Sequence, residues 1–336
     1  MSSLLKRFAA VLAVAVLAIT GLSAAPASAA PKLTTIKLDY AYWNPLSLVL
    51  KEKGWAEKEF AKQGVKVEWV FSASSAAALQ SLNANAINVA SSAGAPAYTA
   101  RANGASLKTI GVFSQPKWAS IAVAQNSPIT SIVQLKGKKI AAASGTDPYF
   151  HLLLALDDAG LSSKDVTIVN LAHADGQKAL VAGQVDAWAG LDPLTAQAQH
   201  NSGVKIIYSN PKFQSWGVLS ANEDFIKNYP SQLVTVLKLY QKARAFAIAE
   251  GTETATILAK ASSITQADAV KVLLTRTKLN VNIVPGAAQA AILKSITPVL
   301  VSEARIKSTD AANTALASLY YPALAKKAVA ELAAKK

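Results

Sequence analysis

The chain has 336 residues, no cysteine, and 34 Lys and Arg against 20 Asp and Glu, for a formal net charge of +14. Without thiols it can form no disulfide, no thiolate metal site and no cysteine nucleophile. The basic excess favours anionic partners, but the lysines are scattered and no arginine-rich or aromatic–basic cluster marks a nucleic-acid surface, so nucleic acid is not an expected partner.

Lys6 and Arg7 precede an apolar run over residues 8–22, and small residues follow, ending in Ala27-Ser28-Ala29. A basic start, an apolar middle and an A-x-A ending describe a secretory signal peptide over residues 1–29, cleaved after Ala29. A membrane anchor is the alternative, although the run is short for a spanning helix and no other stretch is long and apolar enough to span. The lack of cysteine also removes the residue needed to tether an exported protein by a lipid. A soluble periplasmic protein, not a lipoprotein, is expected. The rest of the chain is long for one core and natural for two domains.

Residues 36–42 alternate and are rich in β-formers, which predicts a strand. Trp43-Asn44-Pro45 is a turn, and Pro45 opens a helix predicted over residues 46–63, with Leu46, Val49, Leu50, Trp55 and Phe60 on its inner face and Gly64 as its stop. Strands follow over 65–71, 87–90 and 107–113. Helices opening at Ser74 and Ser75, and after Ser91-Ser92-Ala93-Gly94-Ala95-Pro96, separate them. This β-α-β-α-β-α-β alternation predicts a mostly parallel sheet with helices on both faces. Ligands on such sheets bind beyond the carboxyl ends of the strands. Here those ends carry Trp43 and Asn44, residues 72–75 and residues 91–94.

A second β-α unit of similar size follows, with strands predicted over 119–124, 140–143, 166–170, 185–189 and 204–208. Ser144 and Gly145 punctuate the second of these, Pro148 suits the first turn of a helix, and Gly160 ends it. Such a helix opening presents free N–H groups and a dipole that favours an anion. Equally, Thr146 or Asp147 can cap an ordinary strand-to-helix connection, and the Asp147 carboxylate would compete with an anionic ligand. Helices over 174–181 and from Pro193 to near Gly203 complete the unit. A strand over 216–221 precedes helices over 223–228, 231–250, 252–261, 265–275, 286–305 and 311–319. The pattern predicts an α/β fold of two lobes, each a mostly parallel sheet flanked by helices, with a helical C-terminal part packed on the first. Lobe 1 is expected to be discontinuous, residues 30–118 and 217–336, and lobe 2 to be residues 119–216. Chain crossings near 115–125 and 210–222 would form the hinge.

Several local patterns coincide with those of one ABC-transporter family. Tyr42-Trp43-Asn44-Pro45 ahead of Leu48-Val49-Leu50-Lys51-Glu52-Lys53-Gly54-Trp55 resembles the first strand and helix of the sulfonate/nitrate/taurine substrate-binding proteins. Residues 82–90 resemble the family's aL-x-x-G-x-iD-v step, with Asn85 in place of the usual glycine and Asn88 in place of the aspartate. Residues 134–141 match its L-K-G-K-x-v-a segment and Ser144-Gly145-Thr146 its G-S/T turn. Residues 183–189 with Asp192-Pro193 match its G-x-v-D-A-w…D-P segment. The resemblance runs from residue 36 to about residue 319, and the order and spacing of the motifs carry it more than any single one.

It implies a bilobed, type II-like periplasmic binding protein that closes on a small solute and hands it to an ABC permease in the inner membrane, with no cofactor and no covalent chemistry; a monomer is expected. The helix openings Ser92-Ala93-Gly94 and Gly145-Thr146 would supply donors to an oxyanion. Asn44 would reach the cleft from the first lobe and Trp188 and Asp192 from the second, while Trp118 and Trp216 near the crossings would wall the pocket. Trp188 reads equally as a core residue, Asp192 and Ser92 as helix caps, and Trp118 and Trp216 as packing. Asp147 and Pro148 depart from the family pattern, adding a negative charge and removing a donor, and leave room for a zwitterionic, cationic or neutral ligand. The solute expected is sulfonate-like, or otherwise anionic or zwitterionic. A nitrate-like anion, or an aromatic or pyrimidine compound stacked on tryptophan, is the alternative.

An enzyme is the rival class. Relatives on this fold include a desulfinase with a catalytic cysteine, which this chain lacks. His151, His173 and His200 share no metal-site spacing and read as surface or helix residues. No G-x-S-x-G elbow lies at Gly190-Leu191-Asp192.

Overall fold

The computed structural model describes residues 31–334; the signal peptide expected over residues 1–29 lies outside them. In chain order the strands are β1 (Thr35–Tyr40), β2 (Lys66–Phe71), β3 (Ala90–Ala93), β4 (Leu107–Pro116), β5 (Ala119–Val123), β6 (Lys139–Ala142), β7 (Thr167–Asn170), β8 (Ala187–Leu191), β9 (Lys205–Tyr208), β10 (Gly217–Asn222) and the two-residue β11 (Thr277–Lys278). The helices are α1 (Pro45–Glu52), α2 (Trp55–Ala61), α3 (Ser75–Asn83), α4 (Gly94–Ala102), α5 (Asp147–Asp158), α6 (His173–Val181) and α7 (Leu194–Ser202). They continue as α8 (Glu223–Asn228), α9 (Pro230–Ala249), α10 (Gly251–Ser262), α11 (Gln266–Thr275), α12 (Ala287–Ser302), α13 (Thr309–Leu319) and α14 (Ala323–Ala333).

β1 and β2 pair in parallel, and a parallel bridge from Leu38 to Val89 joins them to the segment entering β3. Beyond it β3, β10, β4 and β11 pair antiparallel in that order. The second sheet has the order β7-β6-β8-β5-β9. Its first three strands are parallel, and β5 runs against both β8 and β9. The strands joined by helical crossovers are therefore parallel, as expected, whereas β5 and β10, which enter their sheets from the other sheet, run antiparallel. Parallel neighbours need a long crossover, and a strand arriving from elsewhere is free of that requirement. All strands of the second sheet come from residues 119–208, and those of the first sheet lie on either side of that stretch.

Local chemistry explains where the elements differ from expectation. The helix expected over 46–63 is two helices, because Gly54 takes φ +61° between α1 and α2, a left-handed turn that glycine adopts without strain. The strand expected at 87–90 lies three residues later. Ser92 and Ala93, read as part of a turn, pair with Val218 and Gly217 of β10. Thr146 takes the N-cap position of α5, as the sequence allows, but no side chain bonds the free N–H groups there. The Thr146 hydroxyl donates back to the Ala143 carbonyl at 2.6 Å, and the Asp147 carboxylate turns away to Trp118 and Ser215. The alanine-rich C-terminal stretch forms a further helix, α14, which buries Leu324, Ala325 and Ala328 and packs on α9.

Helices α9, α10 and α14 share an apolar core with α1 and the first sheet, around Ile36, Leu46, Leu50, Phe60, Leu237 and Leu258. Helices α12 and α13 pack on α4, and α12 also meets α5. Among the described residues no helix is long and apolar enough to cross a membrane.

Candidate binding site

The end of β1 is set by a buried polar chain. Asp39 accepts the Ser91 N–H at 2.9 Å on each oxygen and the Ser91 hydroxyl at 2.8 Å. Burial pushes Asp39 up to about 6, against the pull of those bonds. Asn44 donates to Ser91 Oγ at 2.7 Å and to the Tyr240 hydroxyl at 3.1 Å, and its Oδ1 caps α1 through the Ser47 N–H. Asn44 is fully buried. It therefore does not reach a cleft, as expected of it, but holds the turn that carries Tyr42 and Trp43.

Those two residues open a cavity of about 270 Å³. Its walls come from four places, each at or just past the carboxyl end of a strand with a parallel neighbour: Tyr42 and Trp43 after β1, Phe71 and Ala73 at β2, Ala172, His173 and Ala174 after β7, and residues 191–194 at β8. Both sheets thus contribute. The lining is mainly apolar and aromatic, with the Tyr42 and Phe71 rings 4.8 Å apart. A gap of about 10 Å³ carries the same wall, through Tyr42, Trp43 and Asp192, on to Trp118.

Within this wall, three buried nitrogens have no hydrogen-bond partner: Trp43 Nε1 and both ring nitrogens of His173. Burial lowers His173 to about 4, so at neutral pH the ring is uncharged and offers one donor and one acceptor. Buried polar groups are bonded in the great majority of cases. All three belong to residues that border one apolar space, but each nitrogen is itself closed to solvent.

The helix openings expected to hold an oxyanion are arranged differently. The Gly94 N–H points to the carbonyls of Ser215 and Trp216 at 3.2 and 3.0 Å, the Ala95 N–H to Ser215 Oγ at 2.7 Å, and the Ala93 N–H to Ser75 Oγ at 3.1 Å. Ser92 is buried in β3 with its hydroxyl unpartnered. Gly145, at φ +73°, faces α3, where a Cβ would stand 3.5 Å from the Ala76 methyl, and it borders a separate groove beside Pro96 and Phe150. The Ser92–Gly94 and Gly145–Thr146 donors therefore do not converge on one open space. Asp147 instead places its own carboxylate against Trp118 Nε1, at 2.7 Å, and Ser215 Oγ.

Of the other expected residues, Trp188 is 1% exposed and belongs to the core between β8 and its covering helices, so it is not a ligand wall. The register of β8 turns its ring toward Gly176 and Gly190, which leave room for it. Asp192 does border the cavity, but its carboxylate is held by Arg276 and accepts the Ala196 N–H at the start of α7. Burial raises its pKa and Arg276 opposes the rise. Trp216 is partly buried on the apolar cluster of α5 and α12, with its Nε1 unpartnered. The strand-end rule that selects Trp43 also covers Tyr42, Phe71 and His173. By sequence Phe71 is a strand residue and His173 a surface or helix residue, and neither carries a local signal of a cavity wall.

Two α/β lobes whose strand ends meet at a shared cavity define the two-lobed periplasmic-binding-protein fold. The chain belongs to the NMT1/THI5-like family, whose pattern matches residues 47–254. It is 32% identical over 199 residues to a Bacillus subtilis protein provisionally described as an aliphatic sulfonates-binding protein. That match covers 58% of this chain and 60% of the relative, less than two thirds of the relative's length. Among solved structures it is similar to the periplasmic aliphatic sulphonate binding protein SsuA of Escherichia coli, with a TM-score of 0.72, 25% identity and coverage of 86% of this chain and 92% of that one. The alkanesulfonate-binding protein SsuA of Xanthomonas axonopodis pv. citri, bound to MOPS, shares the fold at a TM-score of 0.74 and 23% identity, covering 82% and 96%.

Proposed function

We propose that this chain is the periplasmic solute-binding component of an ABC importer. It holds a small sulfonate-like, or otherwise anionic or zwitterionic, organic solute between lobe 1 (residues 30–118 and 217–336) and lobe 2 (residues 119–216), and delivers it to a permease in the inner membrane. The observation that carries this reading is the cavity at the strand ends of both sheets, lined by Tyr42, Trp43, Phe71, His173 and Asp192. Contacts from both lobes exist together only when the lobes are closed, so a solute shifts the open–closed equilibrium by its differential affinity. The apolar lining suits the hydrocarbon part of such a solute. The descriptions of the sulfonate-binding relatives support the solute class and the transport role. The signal-peptide pattern at residues 1–29 supports export, and binding without turnover accords with the relatives' names.

The test is a titration of purified protein, followed by tryptophan fluorescence and thermal melting, with butanesulfonate, MOPS, taurine, nitrate and uracil. Saturable quenching by at least one sulfonate, with the compound recovered unchanged by mass spectrometry, is expected. At a hundredfold excess over its dissociation constant the ligand adds about 2.7 kcal/mol to stability. A compound that is chemically converted, or a panel that gives no saturable signal, defeats the reading.

A further inference from the structure

The stretch that carries the second sheet meets the rest of the chain along seams of different chemistry. On one of them α5 packs on α4 and α12, and Phe150 and Leu154 of α5 share an apolar cluster with Leu293, Ile296 and Leu300 of α12. Both chain crossings touch α5. Trp118 and Ser215 donate to Asp147 in its first turn, and the Asn210 N–H faces His151 Nε2 at 3.5 Å. Parting this seam would bring apolar surface into water.

On another seam α7 lies along α11. At its base, where the Asp192 N–H bonds the Trp118 carbonyl, Leu191 and Ala196 join the apolar cluster of Leu258 and Val272. Farther along α7 the contacts are polar. Gln199 Oε1 accepts from Arg276 at 2.6 Å, Gln197 Nε2 donates to the Ser263 carbonyl at 3.1 Å, and His200 Nδ1 stands 3.4 Å from Asp268 Oδ1. Each side holds its partner ready. Gln177 donates to Gln197 Oε1 at 3.3 Å. Ser263, at φ +54°, ends α10, where carbonyls lack a helical partner. The other oxygen of Asp268 accepts the Thr265 hydroxyl at 2.7 Å. Asp268 stands about 12 Å along α11 from Arg276, at about 1.5 Å per residue, so these outer contacts lie well away from the crossing. Gln197 is half-buried and His200 exposed. Water therefore replaces their bonds when they part, and the net loss is small.

We propose that the outer contacts of α7, Gln197 to Ser263 and His200 to Asp268, form a breakable clasp that holds lobe 2 closed on lobe 1, while the apolar α5 seam serves as the pivot. This deepens the solute-binding reading above and rests on it. None of the four residues lines the cavity or the gap beside it. They act through the equilibrium alone: apparent affinity scales with the share of molecules in the binding-competent state. The clasp thus sets how long a solute stays without touching it.

The experiment combines Gln197→Ala with His200→Ala, which leaves Asp192 and Arg276 at the cavity edge in place. X-ray scattering of the ligand-free variant is expected to give a larger radius of gyration than wild type. Stopped-flow fluorescence with butanesulfonate is expected to show dissociation at least threefold faster, with association little changed. Because the chain has no cysteine, Gln197→Cys with Ser263→Cys, joined by a short bismaleimide, ties the seam shut, and butanesulfonate entry is expected to slow at least tenfold. A cross-linked chain that takes up and releases butanesulfonate at the rate of the unlinked one overturns the proposal, whether or not the alanine variant folds. A folded alanine variant with wild-type scattering and wild-type dissociation also overturns it, while the solute-binding reading stands. If no compound of the panel binds, that reading fails, and unchanged ligand-free scattering then removes the clasp as well.

Discussion

Arg276, just past α11, reaches Asp192 at the end of β8, with its Nη1 2.9 and 3.0 Å from the two carboxylate oxygens. Its second terminal nitrogen meets Gln199 Oε1 at 2.6 Å on α7. The pair ties the C-terminal helices to the strand end of the second sheet, at the edge of the cavity. Removing one partner of a buried pair leaves an uncompensated charge and costs about 3–5 kcal/mol. Arg276→Met is expected to lose stability of that order in urea denaturation, and Arg276→Lys less, since lysine keeps the charge but not the geometry. The double variant Asp192→Asn with Arg276→Met should recover much of the loss. If the two single effects simply add, the two residues are not coupled.

Trp188 is a stability residue. Trp188→Ala is expected to cost about 3–5 kcal/mol through the void it leaves in the core. Gly176→Ala should cost about 1–3 kcal/mol by overpacking, because its Cβ would stand 2.8 Å from Trp188 Cδ1. Thermal melts measure both. Solute affinity of the folded Gly176→Ala protein should match the wild type, and a large change would return Trp188 to the binding wall.

Phe71 is 40% exposed yet lines the cavity, so binding and stability separate there. Phe71→Ala should alter stability by less than about 1 kcal/mol while weakening the solute about tenfold. His173→Leu removes two unpartnered buried nitrogens and should raise stability by about 1 kcal/mol, within the range for an unsatisfied polar group, while weakening the solute. Calorimetry and urea curves on the same samples test the split. Stabilisation with undiminished affinity would take His173 out of the site.

Buried groups of opposite tendency set the pH profile. Burial pushes Asp39 and Asp147 from 3.8 up to about 6 and lowers His151 and His173 from 6.5 to about 4. Each folded aspartate holds its proton to a higher pH than the unfolded chain does, so its contribution to stability falls as pH rises from about 3.8 to about 6. Each histidine is protonated first in the unfolded chain, so its contribution rises as pH climbs from about 4 to 6.5. The trends oppose each other in the wild type. Asp147→Asn removes one falling contribution. Its stability relative to wild type should therefore improve by up to about 3 kcal/mol across that window, at 1.36 kcal/mol per unit of pKa shift. Urea midpoints measured across the window, if they run parallel for the two proteins, would show that Asp147 does not titrate there.

Periodicity and punctuation suffice to locate most elements. β1, α3 with its Ser74 cap, and the succession of C-terminal helices follow from apolar spacing and from residues such as Pro230 and Gly251. These are local effects, carried by side chains within a few residues of one another. Long-range pairing is invisible at that range. β3 lies where it does because β10, more than a hundred residues later, pairs with Ser92 and Ala93, and the antiparallel run of β5 and β10 follows from strands arriving from the other sheet.

The site divides in the same way. Composition excludes thiol chemistry, motif order indicates a two-lobed binder, and the strand-end rule points alike to Trp43 and Asn44, residues 72–75 and residues 91–94. Which donors remain open was decided by contacts between distant segments. Asn44 is turned inward by Ser91 and Tyr240, Trp188 is enclosed by the core, and Asp147 takes Trp118 and Ser215 for itself. A residue's type sets what it can bond to, but only the folded chain determines which partner comes within reach, because a buried polar group takes the nearest satisfactory one and is then closed to any other.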